Sequence, residues 1–333
     1  LAFTAAGDRY SIDAWLRKGR GQEPRTAGPS FPIRLLELQL AWIYLATGLE
    51  KWAGSSWRDG TANSYVFQLS HTFARPFVAP LASYSGLVRG FTWETLAVEL
   101  AFLPLVFLPG PCRLIAVSGA ALLQLGILAM LNVGNFPLIM LCMLILFLPA
   151  GAVSRLMRDG GPSPSPSPRG SGNWGRWAGY VGLAALAYAA FSLALPARFG
   201  MLGPPKPVRD ALMFSGLDQS WNMFSPNPTR RDWSIVAPGQ LSDGSEIEVL
   251  PSSWGPFYSR RMKILDYLTR PSYGDYLQEF GRSICRLRNN HLQSGQPQLL
   301  NFQITLVDRV VQAPGTTGPT VSEQVLWTHQ CLS

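Results

Sequence analysis

Three residues in one apolar run have the types and spacing for proton chemistry. Tyr44, Gly48 and Lys51 stand at i, i+4 and i+7, so a helix would set them along one face. Glu37 precedes Tyr44 by seven residues and shares that face. Glu99 lies a third to halfway along a second apolar run, with no basic residue one helical turn away. An ionisable side chain inside such a run is costly to bury and is a functional hypothesis by default. Gly48, having no side chain, is expected to leave an opening between the phenol and the amine. A lysine held in a dry pocket favours its neutral amine, because desolvation penalises the charged form, and a neutral amine can act as a general base. A structural reading competes with this one. Lys51 ends its run beside Trp52 and shortly before Trp57, the arrangement of a lysine that snorkels to a membrane surface. Residue types alone favour that anchor, and a protonated, hydrogen-bonded acid is the matching reading of Glu99.

The elements that must position these residues read as membrane spans. Of 333 residues, 47% are hydrophobic and only 14% charged, against about 25% charged in a soluble domain. Residues 114–154 contain no Asp, Glu, Lys, Arg or His, and neither do residues 177–197. Such runs exclude an ordinary cytosolic enzyme, an all-surface binding module and a disordered chain. Five segments qualify as spans, at the ~17–25 residues that cross a bilayer as a helix: Ile33–Leu49, Phe91–Pro109, Leu114–Val133, Phe136–Val153 and Trp177–Ala197. Pro104 and Pro149 fall where membrane helices tolerate them. Phe73–Val88 is amphipathic and reads as an interfacial or re-entrant piece. The expected fold is an α-helical integral membrane bundle followed by a C-terminal α+β domain.

Charge sets the expected topology. Residues 1–196 hold 15 Lys+Arg and 9 Asp+Glu, and residues 197–333 hold 13 and 11, so the excess is +6 against +2. Basic residues gathered beside apolar spans mark orientation rather than nucleic-acid binding, and no nucleic-acid partner is expected. With the linker 154–176 taken as cytoplasmic, eleven basic residues share its side and four (Lys51, Arg58, Arg75 and Arg89) lie opposite. The chain then divides into a cytoplasmic connecting segment 1–32, a membrane domain 33–197 and an extracytoplasmic tail 198–333. Gly160–Pro168 reads Gly-Gly-Pro-Ser-Pro-Ser-Pro-Ser-Pro, a semi-extended spacer.

In the tail, Trp233–Val236 and Glu246–Leu250 flank Leu241-Ser-Asp-Gly-Ser, a β-hairpin signal. Tyr273–Asn289 suits a helix, and Leu299–Val311 and Val321–Leu332 suit strands. Cys285 and Cys331 both fall in this outward-facing tail, where a disulfide is expected. Cys112 and Cys142 lie in or beside spans and read as reduced. No His/Cys spacing fits zinc, so no metal is expected.

Four motifs in order carry a family resemblance. They are Gly7-Asp-Arg-Tyr-Ser-Ile-Asp-Ala14; Tyr44-Leu-Ala-Thr-Gly-Leu-Glu-Lys51-Trp52 with Trp57-Arg-Asp-Gly60; Asn132-Val-Gly-Asn-Phe-Pro137; and Leu217-Asp-Gln-Ser-Trp-Asn-Met-Phe-Ser-Pro-Asn-Pro228. Together the chain resembles the horizontally transferred transmembrane (HTTM) domain, whose superfamily includes vitamin K-dependent γ-carboxylase; the last motif resembles the junction into the tail of bacterial members. That likeness implies a bacterial inner-membrane protein, with further helices ahead of Leu1. It also implies a mechanism, in which a lysine deprotonates vitamin K hydroquinone and O₂ converts the anion to a strong base. That base takes a γ-proton from a peptide glutamate, and CO₂ adds to the carbanion. The family's Tyr-x-x-x-Gly-x-x-Lys lysine falls on Lys51. A family histidine, ten residues before Gly134, is replaced by Gln124, which can hydrogen-bond an oxygen but cannot relay a proton. His71, His291 and His329 all lie outside the predicted spans.

Two functions follow. In the first, Lys51 is the base of a carboxylase- or epoxidase-like enzyme, with Tyr44, Gly48, Glu99 and Gln124 lining the pocket. Its cofactors would be reduced vitamin K or a similar lipid-soluble quinol, with O₂ and CO₂, and a protein would be its substrate. In the second, the chain is a non-catalytic scaffold embedded in lipid, a subunit or partner of a membrane complex. The intact Tyr44/Gly48/Lys51 face favours the first, and Gln124 the second. Trp221, Met223 and Phe224 read as a hydrophobic plug or as pocket lining.

Overall fold

The computed structural model describes residues 31–148, 205–214, 223–250, 274–293, 295–313 and 318–331, with isolated positions at 12, 16, 19–20, 177, 180–182 and 316. Of the predicted span Trp177–Ala197, only 177 and 180–182 are described; the linker 154–176 and Trp221 lie outside. The chain forms two compact units. One comprises Leu1–Arg58, Trp93–Gly126 and Pro137–Asn227, and the other Asp59–Thr92, Ile127–Phe136 and Pro228–Ser333.

The N-terminal region is mostly helical. Helix α1 is Phe31–Ala53, α2 Ser55–Arg58, α3 Ala62–Gln68, α4 Ser85–Val106, α5 Pro111–Met130 and α6 Phe136–Leu144, the last running on as a 3₁₀ turn, Ile145–Phe147. Helices α1, α4 and α5 overlap the first three predicted spans, and the short α6 fills only the start of the fourth, Phe136–Val153; α1 continues to Ala53, past the expected end at Leu49. Lys51 is thereby held in regular helix, with its seven-residue spacing from Tyr44 intact. Helix α5 opens on Pro111, where a missing N–H costs nothing. Its Ala116, Val117, Ala120, Leu123 and Gln124 form one buried stripe. Leu122 and Ile115, on the other side, are 67% and 63% exposed.

Among the described residues, α5 alone is both long and apolar enough to cross a membrane, with a mean hydropathy of 1.8. Helices α1 and α4 fall short because Arg34, Glu37, Glu50 and Lys51 interrupt one, and Arg89, Glu94 and Glu99 the other. Phe136–Phe147 is too short. In the first unit Tyr44 packs on Phe102 with ring centroids 4.4 Å apart, and Phe102 meets Phe147 edge-on at 5.5 Å.

The second unit is built on an antiparallel sheet. Its strands are β1 Arg231–Val236, β2 Pro238–Leu241, β3 Glu246–Glu248, β4 Leu299–Val310 and β5 Thr320–Gln330. β4 is the central strand. One of its edges pairs with β1 along Thr305–Val310 and with β2 along Leu299–Phe302, and the other pairs with β5. The hairpin differs from the expected one. Its arms are β2 and β3, closed by Leu241 N–H donating to Ser245 O at 2.9 Å, and β1 pairs with β4 instead. A turn at Asp243-Gly244 can close only on residues directly beside it, and Val236 lies too far upstream.

Helix α7, Gly274–Asn289, lays Leu277, Phe280 and Ile284 on a core of Ile235, Leu241, Leu299, Phe302 and Ile304. Lys206–Phe214 is a further short helix. The expected Cys285–Cys331 disulfide is present and ties α7 to the end of β5, while Cys112 and Cys142 are free. The predicted interfacial piece Phe73–Val88 consists of turns, a 3₁₀ turn at Ala79–Ser83 and the first residues of α4. This unit also buries a carboxylate, Asp232, at 1% exposure. Asp232 accepts the backbone N–H groups of His71 and Thr72 at 3.1 and 3.0 Å, the Thr72 hydroxyl at 2.9 Å and the His71 Nδ1 at 2.8 Å.

Candidate functional site

The helical unit brings the sequence-selected residues together. Lys51 does not project outward as an anchor. It is 6% exposed, and its Nζ lies 2.6 Å from Glu99 Oε1 on α4. Trp52, its neighbour, takes the outward position at 54% exposure. The Lys51 ammonium also stands 5.2 Å from the centroid of the Trp57 ring. A cation over an aromatic face and beside a carboxylate has both of its attractive partners inside the protein.

Gly48 has a different role from the one its lack of a side chain suggested. A Cβ placed there would fall 3.0 Å from Leu100 Cδ2 and 3.1 Å from Glu99 Cβ. The space is filled by α4. Gly48 is thus the point of close approach that lets Glu99 reach Lys51. Tyr44, 2% exposed, accepts a hydrogen bond on its hydroxyl from Gln124 Nε2 at 3.0 Å. Glu37, on the same face, pairs with Arg34 at 2.6 Å. Lys51, Gly48 and Glu99 therefore meet across α1 and α4, and Tyr44 meets Gln124 across α1 and α5.

Two polar atoms in this cluster are left without a hydrogen bond, Glu99 Oε2 and Gln124 Oε1, and both are buried. Thr47 interacts with Glu99, but its hydroxyl donates to the carbonyls of Ile43 and Tyr44 at 2.9 and 3.0 Å. An unmet buried acceptor costs ~1–3 kcal/mol. Both atoms can accept a hydrogen bond. A hydroxyl-bearing molecule fits that chemistry. A metal ion would need more ligands than one carboxylate and one amide, and no cluster of three or more metal-binding side chains exists among the described residues.

A further set of contacts closes the Lys51 end of α1. Trp57 Nε1 donates to Phe224 O at 2.9 Å, Asn227 Oδ1 accepts from Ser56 N and Oγ at 3.1 and 2.8 Å, and Ser225 Oγ donates to Glu50 Oε2 at 3.1 Å. Gly54 admits the Pro226 carbonyl into space that any side chain would occupy. The described part of the fourth motif is therefore a clasp acting through backbone and small polar groups, with Phe224 contributing its carbonyl. Thr47 did not stand out in the sequence, and Glu50, Trp57 and Ser225, though they lie within the four motifs, carried no site role there. The pairing of Ser225 with Glu50 spans 175 positions, and no local periodicity signals it.

Residues 1–151 match the family model for the HTTM domain. Tyr44, Gly48, Lys51, Glu99 and Gln124 all lie within the matched residues. No curated protein and no solved structure matches the chain.

Proposed function

We propose that this chain is a multi-pass membrane protein in which the HTTM domain takes a proton from a reduced, lipid-soluble quinone, chemistry related to that of vitamin K-dependent γ-carboxylase. One observation carries the reading: Lys51, at the position of the family's base, is turned inward against a buried carboxylate at 2.6 Å. The unmet acceptors Glu99 Oε2 and Gln124 Oε1 support a ligand that brings hydroxyl donors. The large apolar side chains exposed on α5 support a lipid environment, and the disulfide in the tail supports an extracytoplasmic face for residues 198–333. Bound reduced quinone would supply the oxygen-dependent base chemistry, with CO₂ as the second reactant if a carbon acid is carboxylated. The protein's own part is to hold the Lys51–Glu99 pair dry, to fix Tyr44 through Gln124, and to keep α1 and α4 close at Gly48.

The test is oxygen-dependent epoxidation of reduced vitamin K by the full-length protein in nanodiscs. Turnover that falls to background in Lys51→Ala, with the fold retained, supports the assignment. A well-folded wild type with no turnover favours the second reading, a non-catalytic scaffold in a membrane complex. A specific observation speaks for that alternative too: Gln124 stands where the family has a histidine, and its amide N–H is engaged by Tyr44.

A further inference from the structure

We propose that Trp57 is the residue that positions Lys51, and that residues 224–227 hold it in place. This rests on the reading of Lys51 as the base and adds what keeps that base where it must act. Lys51 lies in the last turn of α1, on a flexible stem that would otherwise swing freely. Two groups limit it. Glu99 Oε1 holds the Nζ at 2.6 Å, and the Trp57 ring covers it with its centroid at 5.2 Å. Glu99 is carried by a long, regular helix. Trp57 is not: its helix, α2, has four residues, too few to be rigid alone. Its indole is nevertheless 2% exposed, and its N–H donates to the Phe224 carbonyl at 2.9 Å.

That carbonyl is aimed by a strained piece of backbone. Phe224 has φ +60°, a left-handed conformation that a bulky side chain rarely adopts. Such strain persists only where the surroundings over-determine it, and here they do. Asn227 Oδ1 accepts from Ser56 N and Oγ, Ser225 Oγ donates to Glu50 Oε2, and Gly54 leaves room for the Pro226 carbonyl. Glu50 precedes Lys51 and Ser56 precedes Trp57, so the segment grips the chain beside the base and beside the ring. When Lys51 takes a proton from a donor O–H, the electron pair stays on the donor oxygen and the Nζ becomes an ammonium inside the protein. The face of the ring attracts that cation as it forms, and the buried indole keeps water from taking its place. Without the tether the amine is chemically intact but misplaced. The expected signature is a lower kcat at unchanged KM.

Two measurements on the full-length protein in nanodiscs test this, with circular dichroism confirming the fold of each variant. The first is acylation of Lys51 by a membrane-permeant N-hydroxysuccinimide ester, read by peptide mass spectrometry against the exposed Lys206. Asn227→Ala and Trp57→Leu should each raise the Lys51 rate about tenfold or more, by opening the segment locally. Asn227→Asp keeps the acceptor for Ser56 and should stay within about threefold of wild type. Lys51 labelling unchanged in Asn227→Ala and Trp57→Leu overturns the inference, whether or not the protein turns over. The second is the epoxidation assay. Asn227→Ala should lower kcat about ten- to a hundredfold with KM unchanged, and Asn227→Asp should restore it. An unchanged kcat in Asn227→Ala, or Asn227→Asp as poor as Asn227→Ala, overturns the inference and leaves the quinol reading standing. A folded wild type without turnover removes the quinol reading, and the labelling rates then decide by themselves whether residues 224–227 hold Lys51.

Discussion

Each unit of the molecule buries a carboxylate, and they are satisfied in opposite ways. Asp232 in the sheet unit is enclosed by two backbone N–H groups, a hydroxyl and an imidazole nitrogen. Glu99 in the helical unit has one ammonium on one oxygen and no hydrogen bond on the other. Saturation by four donors fixes a loop in place and leaves nothing for a ligand to gain. A half-satisfied acid paired with a cation keeps both charge and an open lone pair, at some cost to stability. Burial alone therefore does not mark a functional acid. The two acids differ instead in the state of the second oxygen.

That contrast can be broken or sharpened by experiment. The largest effect on stability should come from the sheet unit's covalent tie. Cys285 and Cys331 close a loop of 46 residues in sequence separation, and their removal as Cys285→Ser/Cys331→Ser should cost about 4 kcal/mol. Hydrogen exchange across Leu299–Val310 in the full chain would report it, with protection in α1 and α4 unchanged. Asp232→Asn comes next. It places an amide N–H among donors and should cost about 2–3 kcal/mol, read as a lowered Tm, with epoxidation turnover unaffected. Glu99→Gln should show the opposite pattern, a small stability change and lost turnover. If both variants behaved alike, the distinction between the two acids would fail.

A smaller effect is expected at Gly48→Ala. The added methyl meets Leu100 and Glu99 at 3.0–3.1 Å, so α4 must give way, costing about 1–2 kcal/mol and lengthening the Lys51–Glu99 contact. Turnover should fall with it. The smallest effect is one of pH. Partial burial and, secondarily, the nearby Arg282 hold the His329 imidazole below its ordinary range. The unfolded chain then binds a proton that the folded state resists. Stability of the sheet unit should decline as pH falls through about 6.5, and His329→Phe should flatten that dependence in thermal melts.

Much of this was legible in the sequence because it is local. The apolar runs gave the three long helices α1, α4 and α5 and the short α6, strand character in the tail gave β4 and β5, and two cysteines in the tail gave the disulfide. Tyr44, Gly48 and Lys51 were placed on one face by period alone. Their partners were not, because periodicity says which side of a helix is apolar and not which helix lies against it. Lys51 and Glu99 are 48 positions apart, so a residue whose neighbours suggest a snorkelling anchor proves to be half of a buried pair. Gly48 was misread for the same reason: a missing side chain can mean a gap or an intimate contact, and only the opposing helix decides. β2 was hidden because Pro238 and Gly239 have poor strand propensity, and its place is set by β4.

The clasp at the end of α1 has a consequence in time. Trp57 waits for a carbonyl supplied 167 positions later, and Ser56 for a side chain 171 positions later. At a synthesis rate of about 5–20 residues per second, roughly 10–30 seconds separate the two halves of each contact. During that interval the nascent segment 50–57 carries an indole N–H and a glutamate whose partners do not yet exist. The Lys51 end of the helix is therefore finished only after translation has passed Asn227, so a ribosome stalled before that point leaves a chain whose ion pair can form but whose closure cannot.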